Sequence, residues 1–155
     1  MIYLLYGQPA SGKTTLGKLL SDYLDSPFFI DGDEFRSLFS NKNYEPSGRY
    51  SNIKNANAVC TYLNKGLNHD VVLSLVNPYE SLRKELKESN PDEVLEIFLH
   101  SERELRKEFH VQEFEIGNPD ITISTDKPTE ITFVSLLAYI SVTLLEKPKK
   151  QIAVN

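Results

Sequence analysis

The chain has 155 residues, of which 40% are hydrophobic and 25% charged, a balance typical of a single soluble domain. Its formal net charge of −5 argues against a nucleic-acid-binding surface, although a local basic cleft stays compatible with it. Cys60 is the only cysteine, which excludes an internal disulfide and indicates a reducing, cytoplasmic location. We expect one domain over residues 1–146 and a C-terminal tail at 147–155.

In the first half of the chain, short apolar runs alternate with helical patterns. An apolar strand is predicted at residues 2–6, and leucines on one face predict a helix at about 13–24. A second strand at 27–30 leads into acidic residues that suit the first turn of a short helix. Apolar residues three and four apart, with Cys60 among them, predict a helix at about 47–67 with a buried stripe. Residues 70–76 form a continuous apolar run, typical of a strand buried on both faces of a parallel sheet.

The second half continues the same alternation. A charged surface helix is predicted at 79–88, and a fourth strand at 94–100. Residues 101–109 begin with Ser and acidic residues, which indicates a helix start. A fifth strand at 120–125 and a closing helix at 128–145 complete the pattern. Strands that alternate with helices predict an α/β domain with a mainly parallel sheet.

The closing helix contains an uncharged stretch at residues 131–145. Its fifteen residues fall short of the about 20 that a membrane span requires. We therefore expect a helix buried in the core or in a contact between two copies, and a membrane span is the less favoured alternative.

The segment GQPASGKT at residues 7–14 matches the pattern G-x-x-x-x-G-K-[ST] between a predicted strand and a predicted helix. Gly7 lets the chain turn off the strand, and Gly12 lets backbone N–H groups approach phosphate oxygens. Lys13 is expected to be a catalytic cation at the outer phosphates, and the Thr14 hydroxyl to ligate Mg²⁺. The alternative is a structural turn. The predicted ATP-binding residues are Gly7, Gln8, Pro9, Ala10, Ser11, Gly12, Lys13, Thr14 and Thr15. This Walker A motif predicts a P-loop nucleoside triphosphate hydrolase-like three-layer domain with a mainly parallel five-stranded sheet.

Two acidic residues, Asp31 and Asp33, follow the second predicted strand at the sheet edge where ligands bind in open α/β folds. A carboxylate there can accept a hydroxyl proton from a substrate, or hold Mg²⁺ through water. The alternative is that both residues cap the following helix. The functional interpretation is favoured for Asp33, whereas both stay open for Asp31.

Four segments taken together resemble the adenylylsulfate (APS) kinase family, over about residues 2 to 85. They are GQPASGKTT, IDGDEFR, NYEPSGRYSNIKNA and VVLSLVNPYESLRKEL. The family transfers the γ-phosphate of ATP to the 3′-hydroxyl of adenosine 5′-phosphosulfate to give PAPS in sulfate assimilation. The resemblance implies an ATP-dependent kinase with an alcohol acceptor, the cofactors ATP and Mg²⁺, and a small-molecule partner; a homodimer stays open.

Carried over by position, the resemblance implies a role for each matching residue. Asp33 would be the catalytic carboxylate at the acceptor hydroxyl, and Arg36 would contact the phosphosulfate. Tyr44 and Phe109 would enclose the acceptor adenine. The implied substrate-binding residues are Asp33, Arg36, Tyr44, Arg49, Asn52, Val76, Asn77, Pro78, Lys107 and Phe109. Arg83 matches a later arginine of the family, and the alternative for it is a solvated helix face.

The second half departs from the family, because the lid after the fourth strand is shorter here. The cations left in this region are Arg103, Arg106 and Lys107, and the alternative for the two arginines is an exposed helix with a Glu102–Arg106 pair. A kinase of another nucleotide or small-molecule hydroxyl acceptor therefore stays open. So does a non-catalytic nucleotide-binding regulatory module, although the guanine motif N-K-x-D of GTPase switches is absent from the sequence.

Overall fold

The structure, a computed structural model, describes residues 1–103 and 106–146. Within these residues one five-stranded sheet has the order β2-β3-β1-β4-β5, and every neighbouring pair is parallel. The strands are β1 (Ile2–Tyr6), β2 (Phe29–Asp31), β3 (Val71–Leu75), β4 (Val94–His100) and β5 (Ile121–Ser124). The predicted α/β fold with a mainly parallel five-stranded sheet is confirmed. The predicted tail at 147–155 lies outside the described residues, so the domain boundary at 146 stays a prediction.

The apolar runs form strands because both faces of the sheet are covered. Every residue of β1 is buried, and its side chains alternate between two cores. Ile2, Leu4 and Tyr6 belong to one core, and Tyr3 and Leu5 belong to the other. A strand buried on both faces reads as a continuous apolar run, which is why periodicity of two is missing from the sequence.

Helices form the two outer layers. They are α1 (Lys13–Tyr23), α2 (Gly32–Leu38), α3 (Pro46–Thr61), α4 (Glu80–Ser89) and α5 (Thr129–Glu146), and a π-helical turn, Tyr62–Gly66, continues α3. Side chains of α2, α3 and α4 join one core, whereas those of α1 and α5 join the other. Cys60 on α3 is fully buried, as its place on the apolar stripe predicts, and burial raises the pKa of its thiol.

The predicted helix at 101–109 is wrong for the part of this segment that the structure describes. Residues 101–103 are not helical, and Lys107–Phe109 form a single 3₁₀ turn, while positions 104 and 105 lie outside the described residues. The carboxylate of Asp126 accepts hydrogen bonds from the Ser101 hydroxyl at 2.5 Å and from the Glu102 backbone N–H at 3.0 Å. These bonds hold the end of β4 in an open turn, so the Glu102–Arg106 helical pair does not form.

The closing helix α5 is confirmed, but its predicted burial in the core holds for one stripe only. Thr132, Leu136 and Ile140 are buried. The opposite side is exposed and apolar, and its large side chains are Ile131, Val134, Tyr139, Val142 and Leu145. Only 17% of α5 is buried, and by length and composition it could cross a membrane. Among the described residues α5 packs on β5 and α1, and this leaves the apolar side chains named above exposed.

Candidate active site

A cavity of about 880 Å³ opens at the carboxyl edge of the sheet. Its walls come from the loop after β1, the β2–α2 junction, the N-terminal half of α3, the end of β3, and residues 106–110. In a parallel sheet these loops meet at one edge, which is where α/β proteins bind their ligands. The topology thus brings together segments that are up to about 100 positions apart in sequence.

The loop between β1 and α1 has the backbone that a phosphate cradle requires. A Cβ atom at Gly7 would lie 2.1 Å from the Leu99 carbonyl oxygen, so only glycine fits there. Gly12 has φ 86° at the N-terminus of α1, in the left-handed region that favours glycine. Ala10 also has a positive φ, 64°, an uncommon conformation for a residue with a Cβ. The loop therefore ends at the N-terminus of α1. The unpaired backbone N–H groups at that end of the helix favour a bound anion.

The Lys13 side chain lies over this loop and lines the cavity. Its ammonium donates to the Gln8 carbonyl oxygen at 2.6 Å and to the Ser11 hydroxyl at 3.2 Å. Burial lowers the pKa of Lys13 to about 8, and the carboxylates of Asp31 and Asp33 oppose this shift. Lys13 is therefore a desolvated cation with two acidic neighbours, held above the cradle.

Asp31 caps the following helix, as one of its two interpretations predicts, and it also contacts the phosphate loop. One carboxylate oxygen accepts the backbone N–H groups of Asp33 at 3.0 Å and Glu34 at 3.3 Å, which caps α2. The other accepts the Thr14 hydroxyl at 2.6 Å. A hydroxyl and a carboxylate side by side are oxygen ligands of the kind that Mg²⁺ prefers, so Thr14 and Asp31 fit a magnesium ion that accompanies a nucleotide. Asp33 contributes its backbone to the cap, while its exposed side chain lines the cavity.

The other half of the cavity carries cations and aromatic rings. Arg36 is buried, donates to the Asn43 carbonyl oxygen at 2.5 Å, and places its guanidinium 4.6 Å from the centre of the Tyr44 ring. The rings of Tyr44 and Phe109 line the cavity, yet they are 62% and 61% exposed. Such half-covered rings offer faces on which a planar ligand can stack.

Two polar side chains of α3, Arg49 and Asn52, also line the cavity. Asn52 is buried, and its amide nitrogen donates to the Gly32 carbonyl oxygen at 3.2 Å. Its side-chain oxygen is buried without a hydrogen-bond partner among the described residues. Unpaired buried polar atoms are rare in folded proteins, so this oxygen is an unusual feature of the cavity wall.

Of the remaining predicted substrate-binding residues, Val76 lines the cavity, whereas Asn77, Pro78 and Lys107 do not. Asn77 and Pro78 are buried behind the wall, where their carbonyl oxygens accept from Arg83 Nη1 at 2.6 Å and from the Glu115 N–H at 3.0 Å. Their contribution to the site is the shape of the turn after β3.

The alternative that Arg83 lies on a solvated helix face is wrong, because the side chain is fully buried. Nη1 donates to Asn77, and Nη2 donates to the carbonyl oxygens of Glu115 at 2.7 Å and Ile116 at 3.0 Å. The guanidinium also lies 4.3 Å from the centre of the Tyr6 ring. Arg83 thus joins β1, the turn after β3 and residues 115–116 without reaching the cavity.

Residues 106–110 contribute cavity-lining side chains that sequence reasoning left out, among them Glu108 and His110. Arg106 also lines the cavity, whereas Arg103 does not, because its guanidinium donates to the Thr125 carbonyl oxygen at 2.8 Å. The sequence signal that could have identified His110 as a cavity-lining residue was its position directly after Phe109. The Nε2 atom of His110 is buried and has no hydrogen-bond partner in the described part of the chain.

Comparisons with known proteins find similar structures. Structural similarity is found with the APS kinase of Mycobacterium tuberculosis in complex with AMPPNP and APS, at a TM-score of 0.76 and 16% identity over 90% of this chain and 96% of that one. A gluconokinase of Sinorhizobium meliloti 1021 gives a TM-score of 0.70 at 18% identity, over 90% and 91% of the two chains. The shikimate kinase of Aquifex aeolicus gives 0.65 at 17%, over 94% and 99%. No curated protein sequence matches the chain.

These structural similarities show the fold, which is that of P-loop kinases. The model of the family named Adenylylsulphate kinase matches residues 1–114, which is most of the chain and contains nearly all of the cavity wall. The motif segments and the cavity that they form thus coincide with the matched region, and the chain belongs to the adenylylsulfate kinase family of ATP-dependent phosphotransferases.

Proposed function

We propose that the protein is an APS kinase, which transfers the γ-phosphoryl group of ATP to the 3′-hydroxyl of adenosine 5′-phosphosulfate and releases PAPS and ADP. The observation that carries this proposal is one cavity in which a phosphate loop faces a carboxylate, two arginines and two half-covered aromatic rings. Membership of the family supports the choice of acceptor.

In the nucleotide half, backbone N–H groups of residues 7–15 other than Pro9 hold the phosphates, and the Lys13 ammonium moves from the Gln8 carbonyl oxygen to the outer phosphates. The Thr14 hydroxyl would hold Mg²⁺, with Asp31 or Asp33 acting through water. When bound, the ion neutralises phosphate charge.

In the acceptor half, the oxygen of the 3′-hydroxyl forms a bond to the γ-phosphorus, and the Asp33 carboxylate accepts the proton of that hydroxyl. The bond from that phosphorus to the β,γ-bridging oxygen breaks, and ADP leaves with the electron pair. Arg36 and Arg49 attract the phosphosulfate, while Tyr44 and Phe109 stack on the adenine. The exposure of the two rings, 62% for Tyr44 and 61% for Phe109, supports this role, because a bound base would cover them.

The competing candidate is a kinase of another small hydroxyl compound. Its support is the short connection between β4 and β5, which leaves few cations to enclose a doubly charged acceptor. A non-catalytic regulatory module accounts less well for Asp33, whose exposed carboxylate faces the cavity rather than capping α2.

Two further parts of the proposal concern the setting of the enzyme. A single buried cysteine supports a cytoplasmic location. The uncharged exposed face of α5 supports a homodimer.

The acceptor is tested by coupled measurement of ADP release. We expect turnover with adenosine 5′-phosphosulfate, and background rates with gluconate, shikimate and a panel of nucleosides. Turnover with a panel compound alone would reject sulfate activation and leave a kinase of another acceptor. ADP release with none of them would favour the regulatory module.

A further inference from the structure

Gln8, inside the phosphate loop, uses its side chain to pair with the backbone of Val111. Its amide nitrogen donates to the Val111 carbonyl oxygen at 2.8 Å, and the Val111 N–H donates to the side-chain oxygen at 2.9 Å. The side-chain amide thus acts as a peptide group would in a β-ladder, with donor and acceptor both satisfied. The contact joins positions 103 apart in sequence.

Other contacts hold the partner segment near its ends. Near β4, Asp126 binds Ser101 and Glu102. At the other end, the Phe114 ring stacks on Tyr6 with 6.3 Å between ring centres. Between these anchors, the pairing with Gln8 connects the segment to the phosphate loop.

The position of Val111 gives this contact its significance. Phe109 and His110, which line the cavity, directly precede it. A two-bond attachment at Val111 therefore limits where the Phe109 ring can lie relative to the phosphate loop. His110 lines the same cavity as Phe109, so the segment places two neighbouring side chains there.

The backbone of the same glutamine contacts the nucleotide-binding cation. The Gln8 carbonyl oxygen accepts from the Lys13 ammonium at 2.6 Å. Phosphates compete for this ammonium, so nucleotide binding removes the bond and changes the environment of the Gln8 backbone. Gln8 is thus hydrogen-bonded both to Lys13, which contacts the nucleotide, and to Val111, in the segment that carries Phe109.

We propose that Gln8 is a positioning residue, which holds Phe109 at the acceptor half of the cavity and transmits nucleotide binding at Lys13 to it. The inference rests on the proposed function only for the identity of the acceptor. The loss of two hydrogen bonds sets the expected size of the effect, which is about thirtyfold in acceptor affinity.

A fluorescence experiment tests the link without an acceptor. The sequence has no tryptophan, so Phe109→Trp introduces the only tryptophan of the chain, within the segment and two residues before Val111. Acrylamide quenching is measured with and without a non-hydrolysable ATP analogue, in three backgrounds: Gln8, Gln8→Glu and Gln8→Ala. Gln8→Glu is nearly isosteric but cannot donate to Val111, and Gln8→Ala removes the pairing without adding charge.

Gln112→Glu is the matched control, because it makes the same chemical change at an exposed position next to Val111. We expect a nucleotide-dependent change in quenching with Gln8 and with the control, and its loss in both Gln8 variants. In proteins that keep Phe109, both Gln8 variants should raise the KM for adenosine 5′-phosphosulfate about thirtyfold. The Kd of the ATP analogue is compared in Gln8→Ala alone, because a carboxylate in the loop would repel the phosphates, and it should change by less than the KM.

Three outcomes would overturn the proposal: quenching in the Gln8 variants equal to the control, no response to nucleotide in any background, or a parallel loss of ATP-analogue affinity. The last would assign Gln8 to the shape of the loop alone. Failure of the proposed function is seen separately, as absence of turnover with adenosine 5′-phosphosulfate in the unmodified protein, and the quenching result does not depend on it.

Discussion

Lys13 is a cation that the fold desolvates before any nucleotide arrives. Its ammonium is buried against the loop, and the neighbouring carboxylates of Asp31 and Asp33 only partly offset the cost, so its pKa falls from 10.5 to about 8. Anionic phosphates next to the ammonium favour its charged form and raise this pKa again. Nucleotide binding and protonation of Lys13 are therefore coupled.

The coupling predicts how nucleotide affinity depends on pH. Below pH 8 the ammonium is already charged, so affinity should be nearly constant. Above pH 8 binding has to take up a proton, and the Kd of an ATP analogue should rise by up to tenfold per pH unit. Calorimetry between pH 7 and pH 9.5 measures this, and Lys13→Arg, which stays charged, should give a flat profile. A flat profile for the unmodified protein would show that Lys13 does not titrate in this range.

Asp33 differs from its acidic neighbours in having its carboxylate at the cavity while only its backbone joins the helix cap. Asp33→Asn should reduce turnover by about 10²–10⁴-fold, the range for a positioned general base, and leave the Kd of an ATP analogue nearly unchanged. Glu34→Gln is the control, since Glu34 is adjacent and exposed but does not line the cavity. Equal rates for both variants would remove Asp33 from catalysis.

At the scale of elements, Arg83 attaches α4 to two segments that shape the cavity. Its guanidinium donates to three backbone carbonyl oxygens and lies 3.8 Å from the Glu96 carboxylate of β4. Burial raises the pKa of Glu96, while Lys87 and Arg83 oppose the shift. Burial of the Arg83 guanidinium costs desolvation free energy. Its removal would cost more, because it would leave the backbone carbonyl oxygens without a donor and Glu96 without one of its nearby cations.

Arg83→Met should therefore lower the free energy of unfolding by about 3–5 kcal/mol. Urea unfolding measures it, with the neighbouring Lys84→Met as control. Lys84 makes an exposed i, i+4 pair with Glu80, so its loss should cost no more than about 0.5 kcal/mol. Equal losses for the two variants would mean that the buried guanidinium contributes little.

Hydrophobic periodicity predicted most elements because each core-facing strand and helix carries its own apolar pattern. It missed the boundary at β2, which lies at Phe29–Asp31 rather than 27–30, because Asp31 pairs with Ser74 at the end of the strand. It failed at 101–109, where the chain follows hydrogen bonds to Asp126 from a distant loop. The charge of Arg83 predicts an exposed side chain. The one sequence signal for its burial was its position near Leu82 and Leu86, which are the other buried residues of α4.

The candidate site was predictable where a motif fixes backbone and side chain together, as at Gly7, Gly12 and Lys13. The position of Asp33 followed from the end of a strand. The pairing of Gln8 with Val111 was not predictable, because it depends on where the connection between β4 and β5 returns to the phosphate loop. No local pattern in the sequence encodes such a contact.

At the scale of the whole molecule, α5 presents a face that suits another copy of the chain. Residues 131–145 carry no charge, and the exposed apolar side chains extend along the helix. Contiguous apolar surface of this kind usually marks a contact, and a face without charges can meet itself across a two-fold axis.

We expect light scattering to give twice the chain mass of 17.7 kDa for the unmodified protein. Val134→Glu should return the mass of one chain, because Val134 is 67% exposed on α5 and would place a charge in the contact. Leu38→Glu, at a position 79% exposed on α2, is the control and should stay dimeric. A single-chain mass for the unmodified protein, or its binding to lipid vesicles, would refute the homodimer.

The lone thiol of Cys60 has no exposed surface, and its elevated pKa keeps it in the unreactive protonated form. It lies between α3 and the sheet, in the layer that also carries the acceptor side of the cavity. An alkylating reagent can reach it only when that layer separates from the strands. The rate at which Cys60 is labelled therefore measures how often this half of the enzyme opens, with no engineered probe needed.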